Sequence, residues 1–176
     1  MHRRLVSYTL LLSLALVLSA CGFQLRGVGD NATTLPDDWK NMHLVTSNPN
    51  GEFSREVETR FAAQGIQWTT LEDANYRLDL GAERFSQRNL SLNAEARVAE
   101  FELTMTARFS VLDADNQVII ATTEVAVVRQ MENDPRNVVG KAEEIRLVKS
   151  EMRAELAQQI MRRIGFFASS ANPASP

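Results

Sequence analysis

Between Lys40 and Ile164 the apolar positions fall into six stretches of regular spacing, each reading as one element. Met42, Leu44 and Val45 make Lys40 to Thr46 a short strand, ended by the turn residues Ser47-Asn48-Pro49-Asn50-Gly51. Phe53, Val57 and Phe61 then recur at helical spacing as far as Gln64. Gly65 stands where a helix stops on a left-handed residue. Tyr76, Leu78, Leu80 and Ala82 alternate with Arg77, Asp79, Gly81 and Glu83, a half-buried strand. The clearest alternation follows. Ala99, Phe101, Leu103, Met105, Ala107, Phe109 and Val111 point one way, and Glu100, Glu102, Thr104, Thr106, Arg108 and Ser110 the other. A turn at Asp113-Ala114-Asp115 leads into a third long strand, Val118 to Met131. Ile145, Val148, Met152, Leu156, Ile160 and Ile164 mark a final helix from about Val138. Glu143 and Glu144 near its start and Arg162 and Arg163 near its end suit the helix macrodipole.

The order β-α-β-β-β-α predicts a two-layer α+β domain, with two helices packed on one face of a four-stranded mixed sheet. The polar face of the central strand is left for water or a partner. Matching apolar faces sets Tyr76 opposite Phe109 and Leu80 opposite Met105, bringing Arg88 near Arg97. Folding the second hairpin about Ala114 sets Phe109 against Ile119 and Phe101 against Val127, with Ala99 beside Arg129. Arg88, Arg97 and Arg129 then gather at one end of the sheet, where the approach to the last helix adds Arg136 and Lys141. Such a group can grip phosphates, Arg bidentately and Lys as a point charge. Glu95, Glu100, Glu132 and Asp134 lie nearby, so pattern alone favours an ordinary mixed-charge tip.

The first twenty residues have a different character. Arg3 and Arg4 precede an apolar run from Leu10 to Leu18, and small residues then stand before Cys21, the only cysteine. Nine residues are far fewer than the ~20 needed to span a bilayer, so the run reads as a removed export signal. Leu18-Ser19-Ala20-Cys21 resembles the bacterial lipobox, which implies a diacylglycerol on the Cys21 sulfur and an acyl group on its new amino terminus. Several chains anchor stably where one does not. Gly22, Phe23 and Gln24 carry none of the signals that retain lipoproteins at the inner membrane, so an outer-membrane location is expected. The domain plan is thus a leader over 1–20, an acylated linker over 21–39, one domain over 40–167 and a disordered tail over 168–176.

Without the leader, 17 basic face 22 acidic side chains, a formal charge of −5. Broad attraction to nucleic acid is not expected. Acylation of Cys21 leaves no thiol for a disulfide or a Cys/His metal cluster, and no metal or other cofactor is expected. His43, the only histidine left, reads as a strand residue and is thin material for a catalytic triad. Asn48-Pro49-Asn50-Gly51 lacks the spacing and the lysine of a phosphate loop. Glu100 and Glu102 share a wet strand face, and Phe101 and Phe109 read as packing. No enzymatic activity is expected.

Four short motifs run in order along the chain: Cys21-Gly22-Phe23-Gln24-Leu25-Arg26-Gly27; Asn48-Pro49-Asn50-Gly51 leading into Ser54-Arg55; Ala99-Glu100-Phe101; and Asn133-Asp134-Pro135. Together, behind a lipobox, they resemble the LptE family of lipopolysaccharide-assembly lipoproteins. The resemblance implies two helices on a four-stranded sheet, and a non-enzymatic role. It further implies a plug inside the outer-membrane barrel LptD, assistance in that barrel's assembly, and binding of lipopolysaccharide. The family's basic contact positions lie near the second-to-third strand loop and just before the last helix. Lys141 matches the second, whereas the first lands near Ala94, so Arg97 or Arg88 must substitute. Another lipid-handling envelope lipoprotein, or a lipid-tethered envelope hydrolase, are the other readings the residues leave open.

Overall fold

The computed structural model describes residues 35–171, apart from residues 93, 95–96 and 134–137. The leader, Cys21, Arg136 and the last five residues therefore lie outside the described residues. A 3-10 turn, Asp37–Trp39, precedes strand β1 (Asn41–Thr46) and helix α1 (Glu52–Ala63). Then come β2 (Gln67–Trp68), β3 (Tyr76–Leu80), β4 (Arg84–Leu92), β5 (Val98–Asp113), β6 (Val118–Glu132) and helix α2 (Val138–Ala171).

The expected class holds, but the sheet has six strands where four were predicted. Two-residue β2 lies parallel to β1, too short to leave an alternation in the sequence. β3 also runs parallel to β1 and antiparallel to β5. The stretch beginning at Tyr76 divides in two, because β3 and β4 pair with successive parts of the same edge of β5. β6 pairs along the other edge. At the joint, the Gly81 amide donates to the Arg108 carbonyl at 2.8 Å. A Cβ on Gly81 would stand 3.1 Å from that same oxygen, which is why glycine fits there. Arg153 of α2 secures the joint, reaching Glu83 at 3.0 Å and Glu52 of α1 at 2.7 Å.

Both registers differ from the predicted ones. Leu80 stands opposite Phe109 and Tyr76 opposite Asp113. In the second hairpin Phe109 faces Thr123 and Phe101 faces Met131. The turn does not pivot on Ala114. The Asp113 carboxylate accepts from the Asp115 and Gln117 amides at 2.9 and 2.8 Å, Asn116 adopts φ 61°, and bulges follow near Val111. A slip of four residues keeps every side chain on its own face, so the predicted core survives the error.

That core lies between the odd-numbered face of β5 and the two helices. Leu103, Met105, Phe109, Val125 and Val127 meet Phe53, Val57 and Phe61 of α1, and Met152, Leu156, Ile160 and Ile164 of α2. Gly65, at φ 91°, ends α1, with its amide on the Ala62 carbonyl and that of Ile66 on Phe61. α2 continues to Ala171, past the expected start of the tail at Ala168. Ala168 is fully buried, one step further along the stripe from Ile164, where its methyl suffices. Arg162 and Arg163 thus stand more than two turns before the helix end, and the last turn holds no basic residue. The macrodipole does not explain them, since its influence fades within one turn.

Candidate functional site

The basic residues occupy the end of the sheet where β5 begins and β6 finishes, but the structure divides them between two faces. Arg88, on the polar outer face, lies opposite Glu102 rather than near Arg97. Its guanidinium clasps the Glu102 carboxylate with two bonds, 2.6 and 2.9 Å. Hydrogen bonding to Arg88 holds the Glu102 carboxyl below its ordinary range, and the same contact raises Arg88. Arg129 lies opposite Leu103, not beside Ala99, which turns it toward the helices. There its guanidinium pairs with Glu155 of α2.

Lys141, in the first turn of α2, is held most closely. Its ammonium donates to the Glu132 carbonyl, stands 3.4 Å from Glu144 and lies 5.7 Å over the Phe101 ring. Its side chain is only 15% exposed, so it closes β6 against the helix start. Arg97 lies immediately before β5 and is engaged as well. Every described member of the predicted group is therefore already in contact with the protein. A phosphate arriving here would compete with carboxylates held by bonds of the kind it would itself form.

Further along, the outer face repeats the same arrangement. Arg108 meets Glu124 across the strands at 3.0 Å, and Ser91 donates to Glu100 at 2.7 Å. The face is largely polar, with ion pairs across its strands and an exposed Val128 among them. His43 is tied through Nδ1 to the Thr69 carbonyl at 2.8 Å, and no group of three metal-binding side chains occurs among the described residues.

Sequence spacing concealed the acidic partners. Glu102 could be found only with the true register, and Glu155 stands twenty-six residues from Arg129 on another element. Spacing also missed a second surface. Where α2 passes β6, an open trough of about 480 Å³ runs between Phe109, Ile120 and Thr123 of the sheet and Gln159, Arg162, Arg163, Phe166 and Phe167 of the helix. No acid lines it, and Phe166 is 75% exposed. A signal existed: the apolar pair after Ile164 falls off the buried stripe.

Known proteins resemble this chain along most of its length. The family model for LptE, described as lipopolysaccharide-assembly, matches residues 39–164. The LPS-assembly lipoprotein LptE of Yersinia pestis is 28% identical over 162 residues, covering 89% of this chain and 74% of that protein. The protein of that name from Yersinia pseudotuberculosis matches to the same extent. Among solved structures, rare lipoprotein B from Shewanella oneidensis superposes with a TM-score of 0.65 at 23% identity, over 74% of this chain and 97% of that one. Lipoprotein B from Nitrosomonas europaea gives 0.68 at 23% identity, over 84% and 93%. These two likenesses concern the fold.

Proposed function

We propose that this chain, which belongs to the LptE lipopolysaccharide-assembly family, is the lipoprotein plug of an LptD-like outer-membrane barrel. The family is non-enzymatic and serves lipopolysaccharide transport at the outer membrane. Within that role, Cys21 carries the acyl anchor on the periplasmic side of the outer membrane. The folded domain sits in the barrel lumen, supports barrel assembly and meets lipopolysaccharide on its way outward.

The observation that carries this reading is the family match across residues 39–164, and the outer face of the sheet supports it. A lumen is wet and lined with polar groups. A strand face bearing Arg88–Glu102 and Arg108–Glu124 pairs can meet such a wall through polar groups. For the ligand, Arg88, Arg97, Arg129, Arg136 and Lys141 remain the proposed contacts to lipid A phosphates. The guanidinium groups of Arg88 and Arg129 are substantially exposed, so a phosphate can reach both from solvent. The trough beside Phe166 is an open surface feature, so it does not favour a shuttle that encloses phospholipid.

Two measurements test the proposal. Purification of the native chain from outer membranes should bring down a very large β-barrel, and recovery without a barrel would refute the plug. Arg97→Glu combined with Lys141→Glu should weaken lipopolysaccharide binding at least tenfold while barrel association persists. Unchanged affinity in the folded variant would return these residues to a structural role.

A further inference from the structure

Among the described residues most cations have a carboxylate partner, and Arg162 and Arg163 are, with Arg55, Arg84 and Lys149, among those that do not. Neither is in an ion pair, both are exposed, and no acid lines the trough beside them. Phe166 and Phe167 follow one turn later on the same side, together with Ile120 from β6. Guanidinium groups above exposed aromatic rings are the composition of a surface that settles into the headgroup region of a bilayer.

The position of this surface in the fold supplies a second, independent argument. Trp39 stacks on Tyr76 at 4.0 Å and meets the Phe167 ring edge-on at 6.3 Å. Trp39 stands only four residues after Leu35, where the described domain begins, so that segment comes up to Phe167 at the trough. Leu35 stands fourteen residue steps after Cys21. Fully extended they reach at most ~50 Å. The end of the domain nearest the acylated cysteine along the chain is thus the end bearing free guanidinium groups and exposed phenyl rings.

We infer that the Arg162–Phe167 surface of α2 docks on the anionic phospholipid leaflet that holds the acyl anchor, Phe166 entering the interface and the two arginines meeting lipid phosphates. The inference rests on acylation of Cys21 and goes beyond the plug assignment, since it requires no barrel. Docking would fix which end of the domain faces the bilayer, a constraint that a tether alone does not impose. Electrostatic attraction and ring insertion act together, so each should be needed in part.

The full-length acylated protein provides the test, because its mature chain has no cysteine except the acylated one. A nitroxide is placed at Ser170→Cys, one turn beyond Phe166, and a control at Leu92→Cys, where β4 ends at the far end of β5. Both are reconstituted in vesicles of phosphatidylethanolamine and phosphatidylglycerol. Accessibility to oxygen against a water-soluble nickel chelate then reports depth. The label at 170 should favour oxygen at least threefold over the label at 92. That excess should vanish in Arg162→Glu/Arg163→Glu, fall in Phe166→Ser, and weaken when phosphatidylglycerol is omitted. A label at 170 as wet as the control, in protein whose acylation is confirmed by mass, would overturn the inference. So would dipolar broadening between labels, which would show a second copy covering the trough. An unacylated mass would instead defeat the anchor on which the inference stands.

Discussion

The basic groups singled out at the two ends of the sheet, Arg88, Arg129 and Lys141 at one and Arg162 and Arg163 at the other, are held in different ways. Where β5 starts, Arg88, Arg129 and Lys141 are each engaged by a carboxylate or carbonyl of the protein. Near the β5–β6 turn, Arg162 and Arg163 project beside exposed rings and meet no acid. Counting charges along the chain favours the first end; asking which charges are satisfied favours the second. A cation's availability depends on register and on helix packing, neither of which composition reports.

The largest expected effect removes the brace at the less charged end. Trp39 is 3% exposed and packs on both Tyr76 and Phe167. Trp39→Ala should cost about 3–5 kcal/mol in denaturant unfolding. Amide exchange should quicken in the last two turns of α2 before it does around Lys141. Equal quickening at both ends would show that the two are not separately held. Lys141→Met keeps the stem on Phe101 but loses the bond to the Glu132 carbonyl and the approach to Glu144. A loss of about 1 kcal/mol is expected, enough to show that this lysine is structural before it is anything else.

The smallest effect concerns protons. Glu102 is held below its ordinary value of 4.5, chiefly by the hydrogen bond from Arg88. A depressed folded value means the contact helps the fold above the ordinary carboxylate range, and that help fades as pH falls through the folded value. The Glu102 carboxyl followed by NMR should titrate below 4.5 in the native chain and close to it in Arg88→Gln. A titration that ignores the substitution would mean that the pair is broken in solution, leaving Arg88 free for a phosphate.

Alternation made the faces legible and left the rungs hidden. Leu103, Met105 and Phe109 are buried as their spacing requires, and the helical stripe from Ile145 to Ile164 lies against them. Register escaped for a physical reason: displacement by an even number of residues conserves every inside and outside position. Only the details of the Asp113–Gln117 turn and the bulges beyond it fix the true pairing. The placement of Arg88 and Arg129 inherited that ambiguity, whereas Lys141 did not, being set by the start of a helix. The trough was hidden because α2 runs past Ile164, carried by the small side chain of Ala168.

The joint at Gly81 works as a switch of sidedness. Upstream of it, Leu78 and Leu80 point inward; beyond it Phe85 turns in while Arg84 and Arg88 turn out, because the ladder advances by one residue between the two segments. Deleting a single residue from the Gly81–Glu83 connector would roll β4 over on its axis, driving its arginines beneath the helices and its phenyl ring into water. The sidedness of β4 thus hangs on the length of three residues.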